Sequence, residues 1–379
     1  MTQSIGSPRI LCLSAYEAAS HRHWRQILEQ GLAEFEWESL ILPPRHFRWR
    51  IRGNPLSWLN EPLLSESYDL VLATSMVDLA TLRGTQPALA RTPAVAYFHE
   101  NQFAYPDRRR DGQSNEPAIV NLYTALSADR VLFNSDWNRQ SMLSGVARLM
   151  RRVPDRKPRD LVQCIEARSA VLPVPIDDDC FDGHDRQWSS VPHLVWNHRW
   201  EYDKGPERLL AILRALRDCG VEFRLSLVGQ QFRVAPEPFS VIRSEFSEAI
   251  VQCGFIPIQD AYRQLLAEAD IVLSTALHDF QGLAVLEAMA AGAVPVVPDR
   301  LAYPEYVPDE LRYESHEQEP EQEATSAVRL ICRLLARGRP NRRAFQPDHY
   351  RLSRLLPAYR EALNGVLDAG PPTRKLVPE

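Results

Sequence analysis

The sequence predicts an α/β protein made of two Rossmann-like domains. Short apolar runs rich in β-branched residues alternate with amphipathic segments, as expected for strand-helix-strand units of a parallel sheet. This series occurs twice, and a stretch rich in turn residues, VPIDDDCFDGHDRQWSSVP (174–192), separates the two copies. With 379 residues, 45% of them hydrophobic, the chain is long enough for two domains with separate cores.

Each series contains four predicted strands. The strands of the first series cover residues 9–15, 68–75, 93–100 and 128–135, and those of the second cover residues 193–199, 223–229, 269–276 and 293–299. We place the domain boundary within the turn-rich stretch, so that the first domain covers residues 1–187 and the second covers residues 188–345.

Composition argues against several other classes of protein. No apolar run approaches the roughly 20 residues of a membrane span. The N-terminus MTQSIGSPRILCLSAYE lacks the basic and apolar regions of a signal peptide, so we expect a cytoplasmic protein with no membrane partner. The cysteines show no CxxC or CxxH spacing, which argues against a disulfide framework and a structural zinc site.

Positive charge is concentrated in two segments of the first half, although the net charge of the chain is −5. PPRHFRWRIRG (43–53) carries four arginines, a histidine and a tryptophan but no acid, and RLMRRVPDRKPR (148–159) is almost as basic. Each segment is either a solvated face or a surface for phosphate groups. Composition alone leaves both interpretations open.

Two cations follow the first strand of the second series. In open parallel sheets, ligands bind at the carboxyl ends of the strands. Arg199 and Lys204 lie there, directly before a predicted helix at residues 205–220. Two cations in this position can neutralise a diphosphate without a metal. A structural salt bridge is the alternative.

The stretch HDFQGLAVLEAMAAG (278–292) has the same placement after the third strand of the second series. The helix predicted from Leu283 presents free backbone N–H groups, and Gly282 permits close approach of a ligand. Asp279 and Glu287 can accept hydrogen bonds from vicinal hydroxyls. We therefore predict a site for a sugar or ribose joined to phosphate; the alternative is a charged edge on a buried helix.

These motifs resemble the GT-B family-4 retaining glycosyltransferases, which carry an Arg, a Lys-Gly pair and an E-x7-E motif around Phe-Gly. The resemblance implies two domains that face each other across a cleft, and a C-terminal helix within residues 346–379 that crosses back toward the first domain. VLPVPIDDDCF fits the interdomain segment of that family, which argues against metal-binding aspartates of the GT-A class; we expect no metal and no other cofactor. Asp279 stands where the family usually has Glu. The implied donor-binding residues are Arg199, Lys204, Asp279, Phe280, Gly282, Leu283 and Glu287.

Longer motifs carry a narrower resemblance, to the tRNA-queuosine α-mannosyltransferase family. They are LPPRHFRWRIRG (42–53), YFHENQFAYP (97–106), FNSDWNRQSML (133–143), WNHRWEYDKGPE (196–207) and DRLAYPEYVP (299–308). The resemblance implies transfer of mannose from GDP-mannose to queuosine in the anticodon of tRNA-Asp, with retention of configuration. The implied catalytic residues are His99, Arg199, Lys204 and Asp279. The implied acceptor-binding residues are Ser20, His21, Arg48, Trp49, Arg50, Arg52, Glu100, Asn101 and Gln102.

Two other functions stay open at this point. A GT-B enzyme of this type can glycosylate a lipid or a small molecule, although no amphipathic membrane segment is evident near the N-terminus. A non-catalytic relative that binds tRNA or a nucleotide is the second alternative, and it would bind GDP-mannose without consuming it.

Overall fold

The computed structural model describes residues 6–105, 115–183, 185–233 and 235–370. The chain forms two units, one made of Met1–Pro175 with Ser353–Glu379 and the other of Ile176–Leu352. Each unit contains a parallel six-stranded sheet with helices packed against it. Among the described helices, none is long and apolar enough to cross a bilayer.

The first unit has its strands in the order β2-β1-β3-β4-β5-β6 when numbered along the chain. These strands are β1 (Arg9–Ser14), β2 (Glu36–Ile41), β3 (Leu70–Thr74), β4 (Ala94–Phe98), β5 (Arg130–Phe133) and β6 (Ser169–Val171). The helices between them are α1 (Ala19–Gly31), α2 (Phe47–Ser57), α3 (Leu79–Thr85), α4 (Glu116–Ser127), α5 (Asp136–Arg152) and α6 (Leu161–Ala167). The inner strands are fully buried, so the core lies on both faces of the sheet.

The second unit repeats this plan with the strand order β12-β11-β10-β7-β8-β9. Its strands are β7 (His193–Asn197), β8 (Arg224–Val228), β9 (Ile250–Gly254), β10 (Ile271–Leu273), β11 (Val294–Pro298) and β12 (Arg312–Tyr313). Its helices are α7 (Pro206–Asp218), α8 (Glu237–Glu245), α9 (Gln259–Glu268), α10 (Leu283–Ala291) and α11 (Pro320–Arg337).

The last helix, α12 (Leu352–Ala369), belongs to the first unit although it follows the second in sequence. Its Tyr359 hydroxyl is fully buried, accepts a hydrogen bond from Trp24 Nε1 at 3.0 Å and lies 3.0 Å from the Tyr97 hydroxyl. Three buried aromatic side chains therefore attach the end of the chain to α1 and β4. Residues 371–379 of the predicted C-terminal segment lie outside the described residues.

All eight predicted strands are present, and the four strands that the sequence analysis missed are the edges of the two sheets. Those edges are β2 and β6 in the first unit and β9 and β12 in the second. Inner parallel strands are buried on both faces and therefore read as continuous apolar runs. Edge strands are partly exposed, so they carry polar residues and lack that signal, as in the segment IVQCG of β9.

The structure divides the chain after Pro175, whereas the sequence analysis placed the domain boundary after residue 187. Residues 176–187 are bound to the second unit by side-chain hydrogen bonds. Arg263 donates to Asp177 at 3.1 Å, and Arg342 donates to the Phe181 carbonyl oxygen at 2.9 Å. The turn-rich composition indicated a connection, but these remote arginines decide to which unit the connection belongs.

Candidate functional site

Charged side chains of the second unit meet at the carboxyl ends of β7 and β10. Lys204 is only 7% exposed, and its Nζ donates to the His278 carbonyl oxygen at 2.7 Å. The same nitrogen lies 3.4 Å from Asp279 Oδ2 and 3.6 Å from Asp203 Oδ2. The structure thus brings the predicted residues Lys204 and Asp279 together in one group, the Lys204 cluster, formed by Lys204, Asp203, His278 and Asp279.

Asp279 connects this cluster to the start of α10. Its Oδ1 accepts the Gly282 backbone N–H at 3.0 Å, directly before the first residue of the helix. Burial disfavours the charged carboxylate, yet the Lys204 ammonium and the neighbouring groups outweigh burial and lower the pKa of Asp279. Asp279 is therefore ionised at neutral pH and holds both the cation and the helix start.

The sequence analysis explained glycine at position 282 by the close approach of a ligand, but the structure gives a different reason. The φ of Gly282, which is 81°, lies in the left-handed region, where glycine is favoured. A Cβ at this position would collide with the Tyr306 hydroxyl, which occupies the space next to the glycine. The missing side chain accommodates Tyr306, a residue of the DRLAYPEYVP motif to which the sequence analysis gave no role.

Arg199 lies at the same strand end but remains at the surface. Its side chain is 45% exposed and pairs with Glu201 Oε2 at 2.9 Å. Burial raises the pKa of Glu201 despite the neighbouring guanidinium. Because ion pairs at the surface contribute little free energy, Arg199 can exchange Glu201 for a bound anion at little cost.

Two histidines of this region were missed by sequence reasoning. His198 follows β7 and His278 follows β10, and both are buried. Burial, assisted by the nearby Lys204 ammonium, lowers the pKa of His198 to about 4 and that of His278 to about 4. Both rings are neutral at neutral pH. A sequence signal could have identified both histidines, namely a polar residue at or shortly after the end of a predicted strand. His198 lies in WNHR (196–199), and His278 lies two residues after ADIVLSTA (269–276).

Glu287 belongs to a second network on α9 and α10. Its Oε2 accepts from the Tyr262 hydroxyl at 2.9 Å, and Asn197 Nδ2 donates to that hydroxyl at 3.1 Å. Asn197 also donates to the Ala284 carbonyl oxygen at 2.7 Å, so the end of β7 is attached to the first turn of α10. Of the remaining predicted donor residues, Phe280 is buried with its ring edge-on to His278, and Leu283 is the partly exposed first residue of α10.

In the first unit, His99 follows β4 and is enclosed by aromatic rings. It stacks on His21 with ring centroids 4.0 Å apart, and Trp24 and Tyr97 pack edge-on at 4.8 Å and 4.7 Å. Burial, with His21 as a smaller cause, holds the pKa of His99 well below its usual range. Its Nε2 is buried and has no hydrogen-bond partner among the described residues.

Glu100 connects His21, one of the two stacked histidines, to Ser75 at the end of the neighbouring strand β3. Its Oε2 lies 3.1 Å from His21 Nε2, and its Oε1 accepts from Ser75 Oγ at 3.0 Å. Ser20 precedes His21 on α1 and is partly exposed. The structure therefore brings the predicted catalytic residue His99 together with the predicted acceptor-binding residues His21 and Glu100.

Asn101, which the resemblance implied to be an acceptor-binding residue, has its side chain engaged within the unit. It is fully buried; its Nδ2 donates to Asn138 and Ser141, and its Oδ1 accepts the backbone N–H groups of Phe103 and Ala104. With both ends of the amide engaged, Asn101 holds the loop that follows β4. The adjacent residue Gln102 is anchored through its backbone N–H, which donates to Asn121 Oδ1 at 2.7 Å.

The predicted acceptor-binding arginines of residues 43–53 lie on different faces of the helix α2. Successive residues are 100° apart around a helix, so Arg48 and Arg52 share one face while Arg50 faces the opposite side. Arg48 is exposed, whereas Arg50 is only 8% exposed, which corrects its predicted role as an acceptor contact. Arg52 pairs with Asp78 and lies 3.6 Å from Glu116 Oε1, so acids from remote segments neutralise it. Trp49 is 55% exposed.

Residues 148–159 form the cationic segment, at the end of α5 and the start of the following loop. The basic side chains of this segment are all exposed, and among the described residues no acid forms an ion pair with them. They are Arg148, Arg151, Arg152, Arg156, Lys157 and Arg159. Lys157 Nζ donates to the Met150 carbonyl oxygen at 3.2 Å. This surface is available to a polyanion.

Two parallel six-stranded α/β units, with charged side chains at the strand ends of the second, have the GT-B fold. Sucrose-phosphate synthase from Thermosynechococcus elongatus has this fold, with a TM-score of 0.67, 14% identity and coverage of 96% of this chain and 100% of that one. Anabaena HepE in complex with UDP has a TM-score of 0.63, 15% identity and coverage of 94% and 100%. Residues 192–336 match the family model for glycosyl transferases group 1.

Residues 9–176 match the family model for the tRNA-queuosine alpha-mannosyltransferase N-terminal domain. The tRNA-queuosine alpha-mannosyltransferase of Drosophila melanogaster is 31% identical over 374 residues, which cover 95% of this chain and 98% of that protein. The chain belongs to the tRNA-queuosine alpha-mannosyltransferase family. A GDP-mannose:cellobiosyl-diphosphopolyprenol alpha-mannosyltransferase of Xanthomonas oryzae pv. oryzae is 28% identical over 107 residues, 28% of each chain. The predicted fold class, family and enzyme class are confirmed.

Proposed function

We propose that the protein transfers mannose from GDP-mannose to queuosine in the anticodon of tRNA-Asp, in the cytoplasm. The observation that carries the proposal is the relationship to the Drosophila tRNA-queuosine alpha-mannosyltransferase over almost the whole of both chains. GDP-mannose as donor is supported by two partial relatives with GDP-mannose in their names. The charge distribution supports binding of the donor by the second unit and binding of the tRNA by the first.

The Lys204 cluster would bind the donor. Lys204 and Arg199 supply positive charge for the diphosphate, which becomes more negative as the sugar leaves; fixed charges stabilise such a transition state strongly. The first N–H groups of α10 add further donors to a phosphate or a sugar hydroxyl. Asp279 and Glu287 would accept hydrogen bonds from hydroxyls. In the first unit, His99, whose ring is neutral at neutral pH, is kept as a proposed catalytic residue.

The first unit would bind the acceptor tRNA through the cationic segment and Arg48. Phosphate contacts add affinity without sequence information, whereas the modified base must be recognised at the site of transfer. His21, Glu100 and His99 form the group proposed to receive that base. Arg50 and Asn101 are not part of this proposal because both are buried and held within the unit.

Incubation of the protein with queuosine-containing tRNA and separate nucleotide sugars, followed by mass spectrometry of the nucleosides, tests the function. We expect queuosine to gain one hexose with GDP-mannose and not with UDP-glucose. The same tRNA lacking queuosine is the control and should gain nothing. Transfer from another donor would correct the donor assignment, and GDP-mannose binding without any transfer would favour the non-catalytic alternative.

Transfer should not depend on a divalent metal ion, because Arg199 and Lys204 already supply the compensating charge. Among the described residues, no group of three or more His, Cys, Asp or Glu side chains is placed to hold a metal ion. The measurement is the rate of transfer in EDTA, compared with the rate in added Mg²⁺ or Mn²⁺. A rate lost in EDTA and restored by either ion would contradict the expectation.

A further inference from the structure

Trp49 lies flat across α2 because position 53, one helical turn later, is a glycine. A Cβ at Gly53 would lie 2.5 Å from Trp49 Cε2 and 2.7 Å from both Cδ2 and Cζ2, closer than atoms can approach. The φ of Gly53 is not positive, so its backbone does not require glycine. Glycine is unfavourable inside a helix. The structural reason for Gly53 is therefore the indole that lies against it. The other face of the indole is open, and Trp49 is 55% exposed.

The helix that carries this ring is firmly attached to the unit. Asn54 is fully buried; its Nδ2 donates to the Met76 carbonyl oxygen at 3.1 Å, and its Oδ1 accepts the Asp78 backbone N–H at 3.2 Å. Asp78 is the N-cap of α3, where it accepts the Thr81 N–H at 3.1 Å. A flat aromatic ring on an anchored helix is already ordered before any ligand arrives, which lowers the entropic cost of binding.

The indole forms one wall of a surface depression of about 470 Å³. Its lining includes Leu56 and Leu59, which are 65% and 48% exposed. The charged residues of the lining are Arg48, Arg52 and Glu116. The Arg52 guanidinium is held by Asp78 and by Thr81 Oγ1 at 2.9 Å, whereas Arg48 has no ion pair with the described residues. A flat ring, aliphatic contacts and a guanidinium that no described acid pairs with together match a nucleobase joined to a phosphate.

We propose that Trp49 stacks an unpaired base of the acceptor RNA other than the base that is mannosylated, with the adjoining phosphate at Arg48. This inference rests on the proposed function, because it takes the acceptor to be an RNA. The stacking position is on α2, whereas the group proposed to receive queuosine follows β4 and lies on α1. Every base has a face that can stack, so this contact adds affinity for single-stranded RNA with little sequence preference.

Binding of two RNA hairpins tests the inference, one carrying the tRNA-Asp anticodon loop with queuosine and one with unmodified guanine. Trp49→Ala should weaken binding of both hairpins by roughly 5- to 160-fold, and Trp49→Phe should retain most of the affinity. Gly53→Ala should also weaken binding, because it displaces the indole while favouring the helix. Tyr123→Ala removes another aromatic side chain of the first unit that is 55% exposed, and it should leave binding unchanged.

Three results would overturn the inference. The first is that Trp49→Ala binds both hairpins as tightly as the parent does. The second is a loss of affinity in Trp49→Ala for the queuosine hairpin alone. The third is that the parent protein binds neither hairpin. The second result would mean that Trp49 holds the reacting base. If instead Trp49→Ala weakens both hairpins but the parent transfers no mannose to queuosine, the inference stands and the proposed function fails.

Discussion

The Lys204 cluster of the second unit and the cationic segment of the first carry positive charge in opposite environments. Lys204 is 7% exposed, with three oxygen atoms within 3.6 Å of its Nζ. The basic side chains of residues 148–159 are exposed, and no described acid pairs with them. The first environment fixes one charge at one place, whereas the second offers several charges without fixing any of them.

This difference determines how each region can act. Salt screens a buried charge little, so its interaction with a ligand depends on geometry. Exposed charges bind a polyanion by releasing counterions, so their contribution grows with the number of contacts and falls steeply with salt. A diphosphate suits the first environment and a tRNA backbone suits the second.

The largest effect should come from Lys204→Ala. Loss of this cation should lower kcat/KM for GDP-mannose by about 10²- to 10³-fold, the size found when one preorganised donor to a transition state is removed. The loss should be similar at low and high salt. Arg199→Lys should reduce turnover as well, because a single ammonium does not reproduce the bidentate contact of a guanidinium. Turnover near that of the parent in both variants would refute the donor site.

The cationic segment is tested by replacing Arg151, Arg152, Arg156 and Arg159 together with glutamine. If each contacts one phosphate, the slope of log K against log salt should fall by about 3 to 4, which is roughly a 100-fold difference between 50 and 200 mM salt. The affinity for GDP-mannose should not change. Arg329→Gln, at an exposed arginine on α11, is the control. An unaltered salt slope in the quadruple variant would leave these arginines as a solvated face.

The buried histidines near Lys204 should make stability depend on pH. An unfolded histidine binds a proton below about pH 6.5, whereas folded His198 and His278 bind one only when the pH approaches their lowered pKa of about 4. Between these values the unfolded state holds more protons, so stability should rise with pH by up to about 1.4 kcal/mol per pH unit per histidine.

Urea unfolding of the parent and of His198→Gln across this pH range measures the effect. The variant should show a smaller slope of the free energy of unfolding against pH, because one of the two buried rings no longer titrates. An identical slope in the parent and the variant would contradict the assignment.

The smallest effects should separate Arg50 from Arg48 on α2. Arg50→Gln removes a buried side chain and should lower the free energy of unfolding by about 1 kcal/mol without changing the salt dependence of tRNA binding. Arg48→Gln should do the opposite, leaving stability unchanged and reducing the salt slope by about 0.9. Equal behaviour of the two variants in both measurements would remove the distinction between them.

Much of the architecture and part of the proposed donor site could be predicted from the sequence, because their signals are local. Apolar runs identified the inner strands, and position after a strand identified Lys204, Asp279 and His99 as neighbours of a strand end. The same local signals missed His198 and Tyr262, whose importance comes from contacts with residues remote in the sequence.

The chain's own residue pattern specified two parallel sheets, the order of their inner strands along the sequence, and the segments that carry charge. Tertiary structure decided which of those charges are available. Arg50 and Arg52 have the same chemistry as Arg48, but packing buries one, and Asp78 and Glu116 neutralise the other. Edge strands were decided in the same way, because pairing with a neighbouring strand stabilises them without a continuous apolar run. A side chain's exposure and ion pairs depend on residues far away in the sequence, and no local pattern records them.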